Sequence, residues 1–300
     1  MITYYKNTTK KAAYVEQKKF STNSWVYVND PKEEELQELE TSFNLDRANL
    51  DSGLDQYEIP RIEHEDGNRY VIMKYVQDGS LETLLIILGK DFILTLSKKK
   101  PTFLQKILDG KIKTSIRKRA NLFITILSQN NQQLEKTTLS VVKLVNSKKV
   151  KQAELSEKDL KTLLDQESLL NSLVGSYYHT HYVYQKLEKV VSFKEEDRGE
   201  LEDLDIETKQ GFDLCKSSLK SITNLRNHYV ILLSNKLNKV ITLLTLFTII
   251  ISVPAAISGL YGMNVRLPFQ DDPNTFLYVV GIIVTIWLSF LYYFKKGKFL

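Results

Sequence analysis

Residues 235–264 read NKLNKVITLLTLFTIIISVPAAISGLYGMN, and this stretch decides the fold. Lys236 and Lys239 open it, Val240 to Leu260 carry no charge, and Tyr261-Gly262-Met263-Asn264 close it. About 20 apolar residues suffice for a helix to cross a bilayer. A second apolar run, Phe276 to Phe294, ends in Lys295, Lys296 and Lys298. Lysines on the N-terminal side of the first run and the C-terminal side of the second place both chain ends in the cytoplasm. The intervening loop, with Arg266, Asp271 and Asp272, then faces outward. No apolar segment follows Met1, so membrane insertion is expected to use these two spans and no cleavable signal.

The residues upstream are of another kind. They are rich in Lys, Glu, Asp and Asn with spaced apolar positions, enough for a water-soluble core. The net charge of +5 is too small to argue for nucleic acid, because acidic runs balance the clusters at 98–100, 111–119 and 148–149. The single cysteine, Cys215, excludes an intrachain disulfide and a Cys-based zinc site. No Gly-rich phosphate loop, zinc-hydrolase pattern or nucleophile elbow is present, so the chain has no visible ATP-driven engine and reads as no enzyme.

Strand-like stretches occur at Ile2–Tyr5 and Trp25–Val28. Asn29-Asp30-Pro31 reads as a capped start for a helix over Glu33–Phe43, and a further short helix interrupted by Gly53 is expected within 44–56. From Tyr57 on, β-branched and aromatic runs at 57–62, 69–76, 81–88 and 92–97 are punctuated by Asp66-Gly67, Asp78-Gly79 and Gly89-Lys90, a strand–turn–strand pattern. Helical periodicity follows over 104–108 and 112–145. Ser156-Glu157-Lys158-Asp159 resembles a capping box opening a helix to about Val191. A polar joint over 193–198, with Gly199 behind it, precedes an amphipathic helix from Glu200 to Lys239 that nothing separates from the first span. The fold class is therefore an α+β cytosolic domain, with a mixed or antiparallel sheet flanked by helices, then a long stalk helix and two transmembrane helices. The expected divisions are 1–150 for the α/β domain, 151–239 for the long helices, 240–260 and 276–294 for the spans, 261–275 for the outer loop and 295–300 for a basic tail.

Within the first span Asn238, Ile241, Thr245, Thr248, Ser252, Ala255 and Gly259 recur every three or four residues and share a face. Such a stripe serves either close helix packing or the wall of a water-filled path between identical subunits. Two spans cannot enclose a conduit alone, so the second reading requires an oligomer.

Tyr261-Gly262-Met263-Asn264 at the outer end of the penultimate span, with a last span ending in lysines, resembles the CorA family of divalent-cation channels. The resemblance extends through Ser234 to Val240 and Leu244-Thr245, and fades upstream to Glu58-Ile59-Pro60-Arg61 and the order of sheet and long helices. It implies a homopentameric funnel in the cell membrane, the first span lining a pore and the second facing lipid. Its partners would be the bilayer, identical subunits and divalent cations, with magnesium as cargo and regulatory ion and no other cofactor. Gly262, Met263 and Asn264 would form the selectivity filter, Gly262 allowing a backbone conformation that presents Asn264. A neutral amide ring suits magnesium, which sheds its water reluctantly. Ile241 and Leu244 would constrict the pore, Asn238 would ring it below, and Asn227 falls where some relatives carry an acid. Asp203 and Asp205, within an acidic run, would hold a regulatory ion between subunits, or would simply be solvated helix surface. The chain departs from the family after Asn264: Val265-Arg266-Leu267-Pro268-Phe269 brings a cation where many relatives have Met-Pro-Glu-Leu, and Asp271 and Asp272 would restore negative charge. Magnesium uptake, with cobalt or nickel as further cargo, is the leading function. Zinc transport and a membrane-tethered sensor or scaffold are the alternatives. His179 and His181, two apart, read as packing and not as a metal pair.

Overall fold

The computed structural model describes residues 1–7, 14–112, 114, 119–150, 156–191, 194–269 and 271–296. Strand β1 spans Ile2–Asn7, β2 Tyr14–Gln17, β3 Ser24–Asn29, β4 Arg61–Glu65, β5 Asn68–Gln77, β6 Ser80–Leu88 and β7 Phe92–Ser97. Helix α1 spans Glu33–Phe43, α2 Arg47–Leu54, α3 Thr102–Leu108, α4 Arg119–Val150, α5 Glu157–Val190, α6 Glu195–Tyr261 and α7 Thr275–Lys296. The chain divides into two compact units, Met1–Leu225 and Arg226–Leu300.

In the first unit the seven strands form one sheet in the order β2-β1-β3-β7-β6-β5-β4. Every pairing is antiparallel except β3 with β7. Two-residue turns make the long meander. Asp66 and Gly67 have φ of 50° and 78°, and Asp78 and Gly79 have 51° and 78°, the left-handed pair that matches strand twist. The central strands are apolar on both sides because both faces are covered. Val71, Met73, Leu84, Ile86 and Ile93 point into one core with α3, α4, α5 and the start of α6. Tyr70, Ile72, Leu85, Ile87, Leu94 and Leu96 point into the other, under α1 and α2. A third core holds α4, α5 and α6 together around Leu134, Leu173, Tyr177 and Cys215.

The mixed sheet and its flanking helices agree with the sequence pattern, and several local expectations need correction. Helix α1 does not take its cap from Asp30, which sits at φ 44°. Its leading Lys32 N–H instead donates to Glu35 Oε2 at 2.9 Å, and Glu35 also receives the Met1 ammonium at 3.0 Å and Ile2 N–H at 3.2 Å. Gly53 does not interrupt α2. It lies inside the helix, where a Cβ would come within 2.7 Å of Leu85 Cβ. Residues 195–198 form no joint: Arg198 N–H bonds Lys194 carbonyl at 2.9 Å, so α6 starts at Glu195 with Gly199 inside it. The edge strand β2 had no clear signal. Ser156 caps α5 as expected, with Asp159 N–H donating to its Oγ at 3.2 Å and Ser156 N–H to the Asp159 carboxylate at 3.1 Å. Phe193, Lys298, most of the basic stretch between Ile112 and Arg119, and the expected first turns of the helix from Ile112 lie outside the described residues.

The second unit contains the remainder of α6 and all of α7. These two helices are long and apolar enough to cross a membrane. Pro254 lies inside α6 without breaking it.

Candidate functional site

Helix α6 ends because its last carbonyls find partners just beyond it. Gly262 N–H reaches the Ser258 carbonyl at 2.9 Å, and Met263 N–H reaches that of Leu260 at 3.3 Å. Asn264 follows this closed turn and is exposed. Gly262 is not in the left-handed region. What glycine provides there is room, since a Cβ would stand 3.2 Å from the Ser258 carbonyl oxygen.

Below that turn Asn238, Ile241, Thr245, Thr248, Ser252, Ala255 and Gly259 occupy one uninterrupted helix, each exposed in the single chain. Their steps alternate three and four, so the row drifts only about 20° per seven residues on a straight helix. Leu244 stands next to Thr245 toward the N-terminal end of the row. The Thr245 hydroxyl donates to the Ile241 carbonyl at 2.9 Å, and that of Thr248 to the Leu244 carbonyl at 2.9 Å. With their hydrogens spent on the helix, these oxygens offer lone pairs outward. The row is therefore a line of acceptors interleaved with small and apolar positions.

The two loop acids are not equivalent. Asp272 turns its carboxylate back to the Asn274 N–H at 2.8 Å, and its carbonyl accepts Thr275 N–H at 3.0 Å, so it starts α7. Asp271 and Arg266 are exposed. Phe269, at φ 62°, places its ring 6.5 Å from that of Tyr278.

In the first unit Asp203 and Asp205 do not converge. Asp203 is exposed on α6. Asp205 is largely enclosed, with Oδ1 2.5 Å from His181 Nδ1 and Oδ2 3.0 Å from Lys209 Nζ. His181 thus has a specific partner that the packing reading missed. A spacing rule within one helix could not have found it, because the two residues lie on α5 and α6. Asn227 is exposed. Among the described residues, no three His, Cys, Asp or Glu side chains are grouped to hold a metal.

Residues 20–296 match the family described as CorA-like Mg2+ transporter protein. The cobalt/magnesium transport protein CorA of Methanocaldococcus jannaschii is 27% identical over 293 residues, covering 91% of this chain and 90% of the relative. The magnesium transporter MRS2-10 of Arabidopsis thaliana is 27% identical over 112 residues, 33% of this chain and 25% of that protein. Among solved structures, the complete CorA magnesium transporter from Methanocaldococcus jannaschii superposes with a TM-score of 0.85 at 24% identity, covering 100% of this chain and 99% of the other. The full-length CmaX protein has the same fold, with a TM-score of 0.75 at 15% identity and coverage of 98% and 97%. A family match over nearly the whole chain, joined to a two-span C-terminus that ends its first span in Tyr-Gly-Met-Asn, makes this protein a member of the CorA-like Mg2+ transporter family.

Proposed function

We propose that the chain is one subunit of a homopentameric divalent-cation channel in the cell membrane, carrying magnesium, and also cobalt or nickel, into the cytoplasm. The observation that carries this reading is the acceptor row on α6 leading to the turn that holds Asn264. The name of the archaeal relative, a cobalt/magnesium transport protein, supports the choice of cargo. In this reading 240–260 and 276–294 span the bilayer, 261–275 lies outside, and the rest, including the basic tail, is cytoplasmic. Five copies of Gly262, Met263 and Asn264 ring the outer mouth. Amide and hydroxyl oxygens accept hydrogen bonds from the water shell of a hydrated ion, which suits a cation that dehydrates reluctantly. Binding by neutral groups stays weak enough for release. Ile241 and Leu244 close the cytosolic end by dewetting, and Asn238 forms a polar ring beneath them. A divalent ion crossing 100 mV gains about 4.6 kcal/mol, so flow needs no other driving force. Asp271, with the Asp272 turn beside it, offsets Arg266 at the mouth. Cytosolic divalent ions gate the pore at the subunit boundary, with Asp203 the accessible carboxylate.

The test is divalent flux into proteoliposomes. The wild-type chain is expected to carry magnesium, and Asn264→Ala to lose most of that flux while retaining its oligomeric state. Equal flux in the variant sinks the proposed filter, and a dimer in detergent ends the channel reading.

A further inference from the structure

Within the first unit, a cleft of about 490 Å³ opens between the 56–60 loop, the Gly79-Ser80 turn and one face of α5. Its volume is that of a small-molecule site. Among its lining is Lys74, a charged residue in an otherwise apolar stretch of β5 and only 8% exposed. The ammonium donates to the Gln56 carbonyl at 2.6 Å and to Thr83 Oγ1 at 2.8 Å. An ammonium has three donors, so one N–H remains for the cleft. Among the described residues no carboxylate is within ion-pair distance of it. The nearby acids have their own partners. Asp55 accepts Tyr57 N–H at 2.8 Å, Glu58 faces Arg61 at 3.4 Å and Glu82 faces Lys99 at 2.7 Å. Burial pushes the Lys74 ammonium down from its ordinary range, against the opposing pull of Asp55, Glu58 and Glu82. A buried cation without a direct ion-pair partner is costly to maintain.

A second feature lines the same cleft. Ser176 on α5 is 3% exposed, and its hydroxyl has no partner among the described residues. Buried polar groups are nearly always satisfied, so an orphan hydroxyl and a spare ammonium N–H lining one cleft point to a missing acceptor. Leu81, Leu169 and Pro60 supply an apolar wall, and Tyr57, 88% exposed, stands at the lip. Glu58 and Asp165 also line the cleft and disfavour a highly charged guest.

We propose that this cleft binds a small organic oxyanion of low charge, a carboxylate or a phosphate monoester, whose acidic group accepts from Lys74 and Ser176 while its body lies on the apolar wall. The cleft belongs to the soluble unit, and its occupancy does not require a working pore. Thermal unfolding of the full-length protein in detergent, with AMP, benzoate or inorganic phosphate added, tests it. At ten times its dissociation constant, AMP or benzoate is expected to raise the midpoint by about 3 °C. Benzoate alone would identify a carboxylate guest; AMP, with or without phosphate, would identify a phosphoryl one. Lys74→Met removes the charge, and Gly175→Met fills the cleft from a helix position whose Cβ meets nothing within 4 Å. Both are expected to abolish the shift, and Ser176→Ala to weaken binding several-fold. If Lys74→Met fails to fold, Gly175→Met decides. No shift with any of the three probes, or a shift that survives in either folded variant, overturns the proposal.

Discussion

Two residues show how much rests on single contacts in the helical layer. Gly211 on α6 lies against the ring of Tyr177, where a Cβ would fall 2.5 Å from Cζ. The ring has no freedom to yield, since Tyr177 is buried and its hydroxyl is 3.0 Å from Thr138 Oγ1. Gly211→Ala should therefore destabilise the protein by about 1–3 kcal/mol, the usual consequence of overpacking, read as a lower urea midpoint. Asp159 is a matter of charge. A hydrogen bond from Lys148, then those from Ser156, hold its carboxyl well below the usual carboxylate range. A depressed carboxyl contributes stability above its ordinary pKa of about 3.9, lost as the pH falls toward the folded-state value. Asp159→Asn should thus lower the melting midpoint at neutral pH, and the gap from wild type should shrink on acidification below pH ~4. A gap independent of pH would show that the ion pair contributes nothing.

At the scale of elements, the meander depends on its turns. Gly79 has φ 78°, and a Cβ there would meet nothing within 4 Å, so substitution brings strain and no clash. Gly79→Ala should cost about 1–2 kcal/mol in equilibrium unfolding, the left-handed penalty of an L-residue. Values near zero would show that the β5–β6 hairpin tolerates another turn. These turns were readable from Asp-Gly between apolar runs, as was the Ser156 cap from its box. The start of α1 was not readable. Its cap depends on Glu35 meeting the Met1 ammonium and Ile2 N–H, groups more than thirty positions away in sequence. The apparent joint before α6 misled for a similar reason. Leu201 and Leu204 bury against the sheet core and stabilise a helix through Gly199 that local propensity disfavours.

For the whole molecule, the proposed gating distinguishes the two candidate acids. Asp205 is held by His181 and Lys209, whereas Asp203 is exposed. Asp203→Ala should relieve inhibition of flux by internal magnesium without changing the melting midpoint. Asp205→Ala should lower the midpoint, because His181 then loses its partner inside the helical layer. Intact inhibition in Asp203→Ala would make that residue plain helix surface. The small and polar row on α6 was legible because its period of 3.5 in an apolar run needs no tertiary context. The cleft over Lys74 was not. Lys74, Gln56, Thr83 and Ser176 come from four segments, and a lysine within a strand pattern carries no sign of burial.

The sequence by itself determined the two apolar C-terminal helices, the Tyr-Gly-Met-Asn motif and the family it resembles, the meander and the class of the soluble region. All of these follow from local periodicity, turn chemistry and motif spacing, which need no partner across the fold. Tertiary structure alone decided the parallel β3–β7 pairing, the true helix starts, the His181–Asp205 contact and the burial of Lys74. Each depends on which distant groups meet and which lose their water, and desolvation belongs to the packed chain.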